Sequence, residues 1–189
     1  AALISTLMEI SRAYDMNVEQ FFLASLRAFQ EMHNNYFEEF EELAEEYADK
    51  QKWKRFPPAT REELISTLRK VHGVEARVAD FSLYPELSGQ RFIFLPGKPP
   101  QLLLNGQLNP SQHVYSIVLQ IGYSELKIGK HLRTSPWKKF GSFEEVMDNF
   151  RASYFAGALM INRFQAEKEI QELVQSKTWD GEAILKLLE

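Results

Sequence analysis

The amino-acid sequence predicts an α+β protein that is mainly helical and carries a small antiparallel sheet. Apolar residues recur at intervals of three and four over most of the 189 residues, which is the spacing of amphipathic helices. The spacing changes to two only between about residues 74 and 104, where a few short strands fit. Because 44% of the residues are hydrophobic, the chain can bury one sizeable core with a smaller appendage.

Two helices are predicted before the first proline. Apolar residues between Leu3 and Tyr14 indicate a short opening helix. A second helix starts at Asn17, which has a capping-box partner in Gln20, and continues without glycine or proline to about residue 51. Its apolar and aromatic positions alternate at intervals of four and three residues, and they are Phe22, Leu26, Phe29, His33, Tyr36, Phe40, Leu43 and Tyr47.

This heptad pattern has two interpretations. A regular seam flanked by acidic residues is typical of a helix that packs along a second copy of itself. The residues of such a dimer contact would be Phe22, Leu26, Phe29, Tyr36, Phe40 and Leu43. Further apolar residues, Phe21 and Phe37 among them, widen the stripe, so the helix could instead lie on its own domain.

A proline pair marks a predicted domain boundary. Phe56-Pro57-Pro58 separates the long helix, residues 18–56, from a second domain at 57–189, because proline interrupts a helix. Thr60 then caps a helix that ends near Gly73. Strands are predicted at about 74–81, 91–95 and 101–104, and the proline-rich turn between the last two predicts a hairpin.

Two buried helices follow the strands. Asn109-Pro110 starts a helix that contains the segment HVYSIVLQIGYSEL at 113–126 and has a broad apolar face. Ser142 starts the next helix, and small residues between 152 and 158 imply that another backbone or a ligand approaches it closely. The remainder, about 164–188, is predicted to form two short helices.

Charge and composition exclude several classes of protein. The formal charge of −4 makes the chain as a whole a poor match for DNA, since DNA affinity depends on neutralising phosphates. The absence of cysteine excludes disulfides, thiolate metal sites and a cysteine nucleophile. No apolar run has the length of a membrane span, and the first residues lack the features of a secretory signal. We therefore expect a cytoplasmic protein with no membrane partner.

Two of these helices resemble a known family when they are taken together. HVYSIVLQIGY at 113–123 and FRASYFAGALMIN at 150–162 are similar to the core of the ImmA/IrrE-type domain, a zinc-peptidase-like fold. Within that group the chain is most similar to the short-chain fatty acyl regulators, which are XRE-type helix-turn-helix transcription regulators. The resemblance covers about residues 60–188. It implies that residues 1–17 are the end of a helix-turn-helix domain whose recognition helix is missing, and that 57–189 senses an effector.

The resemblance also shows which residues stand at the metal site of such a peptidase. Zinc is held there by two imidazoles one helical turn apart and a third ligand, while a carboxylate activates the bound water. The corresponding positions are occupied by Leu119, Tyr123, Arg151 and Gln120. Leucine offers no lone pair, glutamine has no useful basicity, and arginine repels a dication. We therefore expect a degenerate metal site, with no metal ion, no catalytic residues and no enzymatic activity.

The resemblance implies a small acyl-coenzyme A, or coenzyme A itself, as the effector. It would lie in a cleft between the two helices and the sheet edge, with arginines for its phosphates and an aromatic surface for its adenine. The candidate ligand-binding residues are Arg91, His113, Gln120, Tyr123, Arg151 and Tyr154. Simpler interpretations stay open, because Tyr154 could be a core tyrosine, Arg151 could pair with an acid of its own helix, and Arg91 could be an edge-strand residue.

The predicted function is effector sensing and dimerisation within a bacterial transcription regulator. The expected partners are a second copy of the chain, a small-molecule effector, and DNA through the missing helix-turn-helix domain of the parent protein. Two alternatives are kept open. The groove could hold a peptide in a protein-interaction module, or the domain could be a residual metallopeptidase-like hydrolase.

Overall fold

The computed structural model describes residues 17–53, 60–129, 131, 133–135, 141–175, 181–182 and 185. The predicted opening helix, most of the helix-turn-helix remnant, the boundary at Phe56-Pro57-Pro58 and the break between the last two helices lie outside the described residues. Over the ranges that are described, no helix is both long enough and apolar enough to cross a lipid bilayer.

The helix predicted to run from residue 18 to about 51 is in fact two helices. They are α1 (Val18–Met32) and α2 (Glu38–Lys50). His33 follows α1 directly, and Asn34 and Asn35 have φ angles of 54° and 56°. This is the left-handed region, which asparagine tolerates better than most residues and which cannot continue a right-handed helix. The prediction of one continuous helix is therefore wrong.

An aromatic cluster explains why the helix breaks. In a continuous helix, Phe29 and Phe37 would be about 12 Å apart along the axis. Their ring centroids are instead 5.5 Å apart, and Phe37 also packs edge-on against Phe150 and Tyr154 of a later helix, at 5.0 and 5.1 Å. The break between α1 and α2 lets both helices contact the later helix and buries a group of aromatic side chains around Phe37.

The heptad residues are divided between the interior and the surface. Phe40 and Tyr47 are buried within this chain, and Phe29 packs in the aromatic cluster, which favours a helical segment that lies on its own domain. Tyr36 and Leu43 are exposed, so dimer formation through this segment stays a prediction.

The α+β class is confirmed, and the sheet is mixed. The elements that follow α2 are α3 (Arg61–His72), β1 (Glu75–Ala79), β2 (Phe92–Leu95), β3 (Gln101–Asn105) and β4 (Thr134–Ser135). The strand order is β1-β3-β2-β4. The predicted hairpin is the antiparallel pair of β2 and β3, whereas β1 runs parallel to β3, so the sheet is not wholly antiparallel as predicted.

Three further helices complete the described fold, namely α4 (Pro110–Glu125), α5 (Phe143–Met160) and α6 (Arg163–Gln175). Helix α4 packs against both α3 and α5, and its residues 116–123 are buried in a core shared with side chains of β2 and β3. The predicted starts of α1, α3, α4 and α5 are confirmed by side-chain caps at Asn17, Thr60, Asn109 and Ser142.

Helices α4 and α5 meet at a glycine. A Cβ atom on Gly122 would lie 2.8 Å from the carbonyl oxygen of Ala152 and 3.3 Å from Cδ1 of Phe155. Any side chain at this position would therefore collide with the backbone of the neighbouring helix. The small residues predicted to allow close approach do so here, and what approaches is another helix.

Candidate functional site

Three of the four positions that the resemblance assigns to a metal site lie on the buried part of α4. Leu119 is a core residue and contacts other apolar side chains. Gln120 is fully buried, and His131 Nδ1–H donates a hydrogen bond of 3.1 Å to its Oε1. The hydroxyl of Tyr123 donates to Oδ1 of Asn149 on α5 at 3.1 Å. Neutral hydrogen bonds thus hold the side chains that stand where metal ligands would be.

His131 connects this part of α4 to the sheet. Its ring stacks on Phe94 of β2 with centroids 4.5 Å apart, and on Tyr123 with centroids 5.3 Å apart. Burial lowers the pKa of His131, and the charge of nearby His72 lowers it further. The imidazole is therefore neutral at neutral pH, which suits a side chain placed between two aromatic rings and an amide.

One polar atom of this cluster lacks a partner. Within the part of the chain that the structure describes, Nε2 of Gln120 is buried and has no hydrogen-bond acceptor. An unsatisfied buried donor costs about 1–3 kcal/mol, so such atoms are rare in folded proteins. An acceptor atom from outside the described residues would therefore be stabilised by a hydrogen bond from the Gln120 amide.

The cluster has the wrong chemistry for a metal-dependent hydrolase. Burial raises the pKa of Tyr123, so its hydroxyl stays protonated and cannot act as an anionic ligand. Among the described residues, no group of three or more His, Asp or Glu side chains is placed to hold a metal ion. The arrangement can position a loop and exchange hydrogen bonds, and the single imidazole of His131 is too few ligands for a zinc site.

Tyr154 and Arg151 lie on α5 but do not face this cluster. The hydroxyl of Tyr154 donates to Oε1 of Glu41 at 2.9 Å and accepts from the backbone N–H of Phe37 at 3.1 Å. Burial raises the pKa of Tyr154 to about 12, so the hydroxyl remains a donor. Arg151 is exposed and pairs with Asp148 at 3.4 Å, one turn earlier on the same helix. Both geometries match the simpler interpretations that the sequence left open.

His113 lies at the other end of α4. Its ring is buried, and Nε2–H donates to the carbonyl oxygen of Asn105 at the end of β3, at 2.8 Å. In the tautomer that carries its proton on Nε2, Nδ1 is the acceptor. His113 also lines a cavity of about 500 Å³. The other lining residues are Thr60, Arg61, Glu62, Gly106, Leu108, Pro110 and Val114.

Arg91 lies immediately before β2 and its side chain is exposed. Its backbone carbonyl accepts a hydrogen bond from the N–H of Asn105 at 3.0 Å, while its own N–H donates to the carbonyl of Ser135. The backbone of Arg91 therefore bridges β3 and β4, whatever the role of its guanidinium.

The structure brings together only part of the predicted site. Gln120 and Tyr123 meet around His131, but His113 is about 10 Å away along the axis of α4, seven residues before Gln120. Tyr154 contacts α2, and the contact at Gly122 leaves no room between α4 and α5 at that level. The six predicted residues therefore do not line one shared cleft.

Sequence reasoning missed the partners of these residues. The residues that hold the predicted side chains are His131, Asn149, Asn105 and Glu41. His131 lies in the loop after α4, and nothing in its spacing relates it to Gln120. The asparagines carry no pattern of their own, so no sequence signal identified them.

Comparison with known proteins gives a likeness of fold to a solved structure. No family model and no curated protein sequence matches the chain. Among solved structures, a Mycobacterium tuberculosis transcriptional regulator has a similar fold, with a TM-score of 0.56 and 18% sequence identity. The match covers 79% of this chain and 43% of that one, so the chain spans less than half the length of the regulator. At this identity the likeness establishes a shared fold.

Proposed function

We propose that this chain is the effector-sensing and dimerisation region of a bacterial transcription regulator, and that it catalyses no reaction. The observation that carries the proposal is how three residues of α4 are packed and hydrogen-bonded. At the positions where a peptidase-like core would hold zinc, Leu119 is packed in the core, while Gln120 and Tyr123 make neutral hydrogen bonds. The fold shared with a transcriptional regulator supports a regulatory use of this scaffold.

The cavity beside His113 is the proposed effector site. Its volume, about 500 Å³, lies within the range of small-molecule sites. Leu108 and Val114 give it an apolar surface that suits a short acyl chain, and Nδ1 of His113 offers an acceptor. Arg61 is the cationic residue of the lining, and its guanidinium lies 2.8 Å from the Glu62 carboxylate. A phosphate of the ligand would replace that carboxylate as the partner of Arg61. A short-chain acyl-coenzyme A is the proposed effector.

Dimerisation is proposed to use the exposed side of α1. Leu23 exposes 47% of its surface and is the large apolar residue of the proposed contact on α1. Tyr36, in the loop between α1 and α2, is 46% exposed. An effector would change the placement of two α1 helices only if it bound one arrangement more tightly than the other.

Thermal unfolding with acetyl-, propionyl- and butyryl-coenzyme A tests the effector proposal. A ligand at about 100 times its Kd stabilises by about 2.7 kcal/mol, which raises Tm by about 5–11 °C for a protein of this size. Val114→Phe, which places a larger side chain in the cavity, should reduce the shift, and Arg151→Ala, an exposed change on α5, should not. If no acyl-coenzyme A shifts Tm of the folded protein, this ligand class is excluded. If Arg151→Ala alone abolishes the shift, the effector binds elsewhere.

The dimer and the absence of catalysis have separate tests. Sedimentation analysis should give a dimer that Leu23→Glu converts to a monomer, and a monomeric native protein would contradict this part of the proposal. Metal analysis of the purified protein should find no stoichiometric zinc. A bound zinc ion would instead favour the residual hydrolase.

A further inference from the structure

Strand β1 forms one end of the sheet, and its outer edge is unpaired among the described strands. The N–H of Glu75 donates to the carbonyl of Pro100, and the carbonyl of Ala79 accepts from the N–H of Gly106, both at 2.9 Å. Alternate residues of a strand direct their backbone groups to opposite edges, so the N–H and C=O groups of Ala76 and Val78 point outward. A free edge of this kind is a template for another strand.

A groove of about 250 Å³ lies beside this edge. It is lined by Ile65, Arg69, Glu75, Ala76, Arg77 and Gln101. Arg69 comes from the last turn of α3 and Arg77 from the middle of β1, and both are exposed. In the described ranges neither arginine has an ion pair, whereas Arg61 and Arg163 both pair with glutamates. As far as the structure describes the chain, two cations without ion-pair partners thus flank a strand edge that is itself unpaired.

We propose that the β1 edge binds an extended acidic peptide segment of a partner protein by strand addition. Such a segment would pair with the outward backbone groups of Ala76 and Val78 while its carboxylates met Arg69 and Arg77. Val78, which is 45% exposed, offers an apolar contact for the same strand. A free phosphate or a nucleotide would satisfy the arginines but leave the backbone groups unpaired, so the combination favours a peptide.

Fluorescence anisotropy with a synthetic peptide tests the charge requirement. The probe is a labelled peptide of about eight alternating valine and glutamate residues, long enough to cover a strand of this length. It should bind, and the same peptide with lysine in place of glutamate should bind at least about tenfold more weakly. Arg69→Glu with Arg77→Glu should weaken binding by about tenfold. Arg27→Glu, an exposed charge reversal on α1, should leave binding unchanged.

A second pair of variants tests the backbone requirement. Val78→Pro removes only an outward N–H, so the pairing of β1 with β3 should survive, and Val78→Thr keeps that N–H. Binding of the acidic peptide should be lost with proline and retained with threonine. If Val78→Pro fails to fold, a peptide methylated at alternate backbone nitrogens tests the pairing from the other side. It loses the N–H groups that would donate to the outward carbonyls of Ala76 and Val78, and it should not bind to the native protein.

Three outcomes would overturn the inference. The first is that the acidic peptide does not bind. The second is that Val78→Pro or methylation of the peptide leaves its affinity unchanged. The third is that a single-stranded oligonucleotide of the same charge binds as tightly as the peptide. The second and third would mean that the groove recognises negative charge alone. None of these results bears on the effector cavity, which lies at the other ends of β1 and α3 and has its own ligands and control variants.

Discussion

Replacing Gly122 by alanine tests whether α4 and α5 are in direct contact, as opposed to forming the walls of a cleft. The new Cβ would lie 2.8 Å from the carbonyl oxygen of Ala152, well inside normal contact distance. That oxygen belongs to the backbone of α5, so it cannot rotate away and the two helices must separate. Overpacking of this kind costs about 1–3 kcal/mol, and the rigid neighbour places the expected cost at about 3 kcal/mol.

The alanine also has a favourable effect, which must be subtracted. Alanine in place of glycine within a helix contributes about 1 kcal/mol through its higher helix propensity. The net expectation for Gly122→Ala is therefore a loss of about 2 kcal/mol in the free energy of unfolding. For a protein of this length that corresponds to a fall in Tm of about 4–8 °C.

Gly157→Ala is the matched control, because Gly157 lies inside α5 and a Cβ there would meet nothing within 4 Å. Only the propensity gain applies, so this variant should be more stable by about 0.5–1 kcal/mol. Urea unfolding followed by circular dichroism measures both differences. If Gly122→Ala were as stable as the native protein, or if both variants shifted in the same direction, the helices would not meet here and a cleft between them would again be allowed.

The other predictions concern single side chains. Tyr123→Phe removes the donor to Asn149 and should lower the free energy of unfolding by about 1 kcal/mol in urea titrations; an unchanged value would show that the bond contributes nothing. Burial, with the charge of His72, lowers the pKa of His131, so the folded protein should lose stability as pH falls below about 6.5. His131→Gln should lose less between pH 7 and pH 5 in thermal melts, and an identical loss would assign the effect to other groups. Arg163→Ala breaks two ion pairs to α2 and should speed limited proteolysis within α6, which an unchanged digestion pattern would contradict.

The proposed sensor has a physical path from its core to α1. Tyr154 on α5 bonds both to Glu41 on α2 and to the backbone of Phe37, at the loop that joins α1 and α2. Phe37 in turn stacks on Phe29 of α1. A ligand that moved α5 would therefore act on the joint between α1 and α2 through packed aromatic rings, provided that it favoured one of two arrangements.

The amino-acid sequence by itself determined the helix starts and the turns. Asn17 with Gln20 and Asn109 with Gln112 form capping boxes, because each pair lies three residues apart and needs no distant neighbour. The proline-rich turn between β2 and β3 likewise specified their hairpin, because the residues that form the turn are neighbours in the chain. That position 119 cannot hold a metal ion could also be seen from the residue type alone, since leucine offers no lone pair in any fold.

Only the tertiary structure decided the features that depend on residues far apart in the chain. The asparagine pair at 34–35 permits a break, but the burial of Phe37 against Phe150, 113 positions later, makes the break favourable. The parallel pairing of β1 with β3, and the placement of His131 on Gln120, likewise depend on how whole elements pack. Local spacing carries no information about such contacts, because their energy comes from surfaces that meet only after the chain has folded.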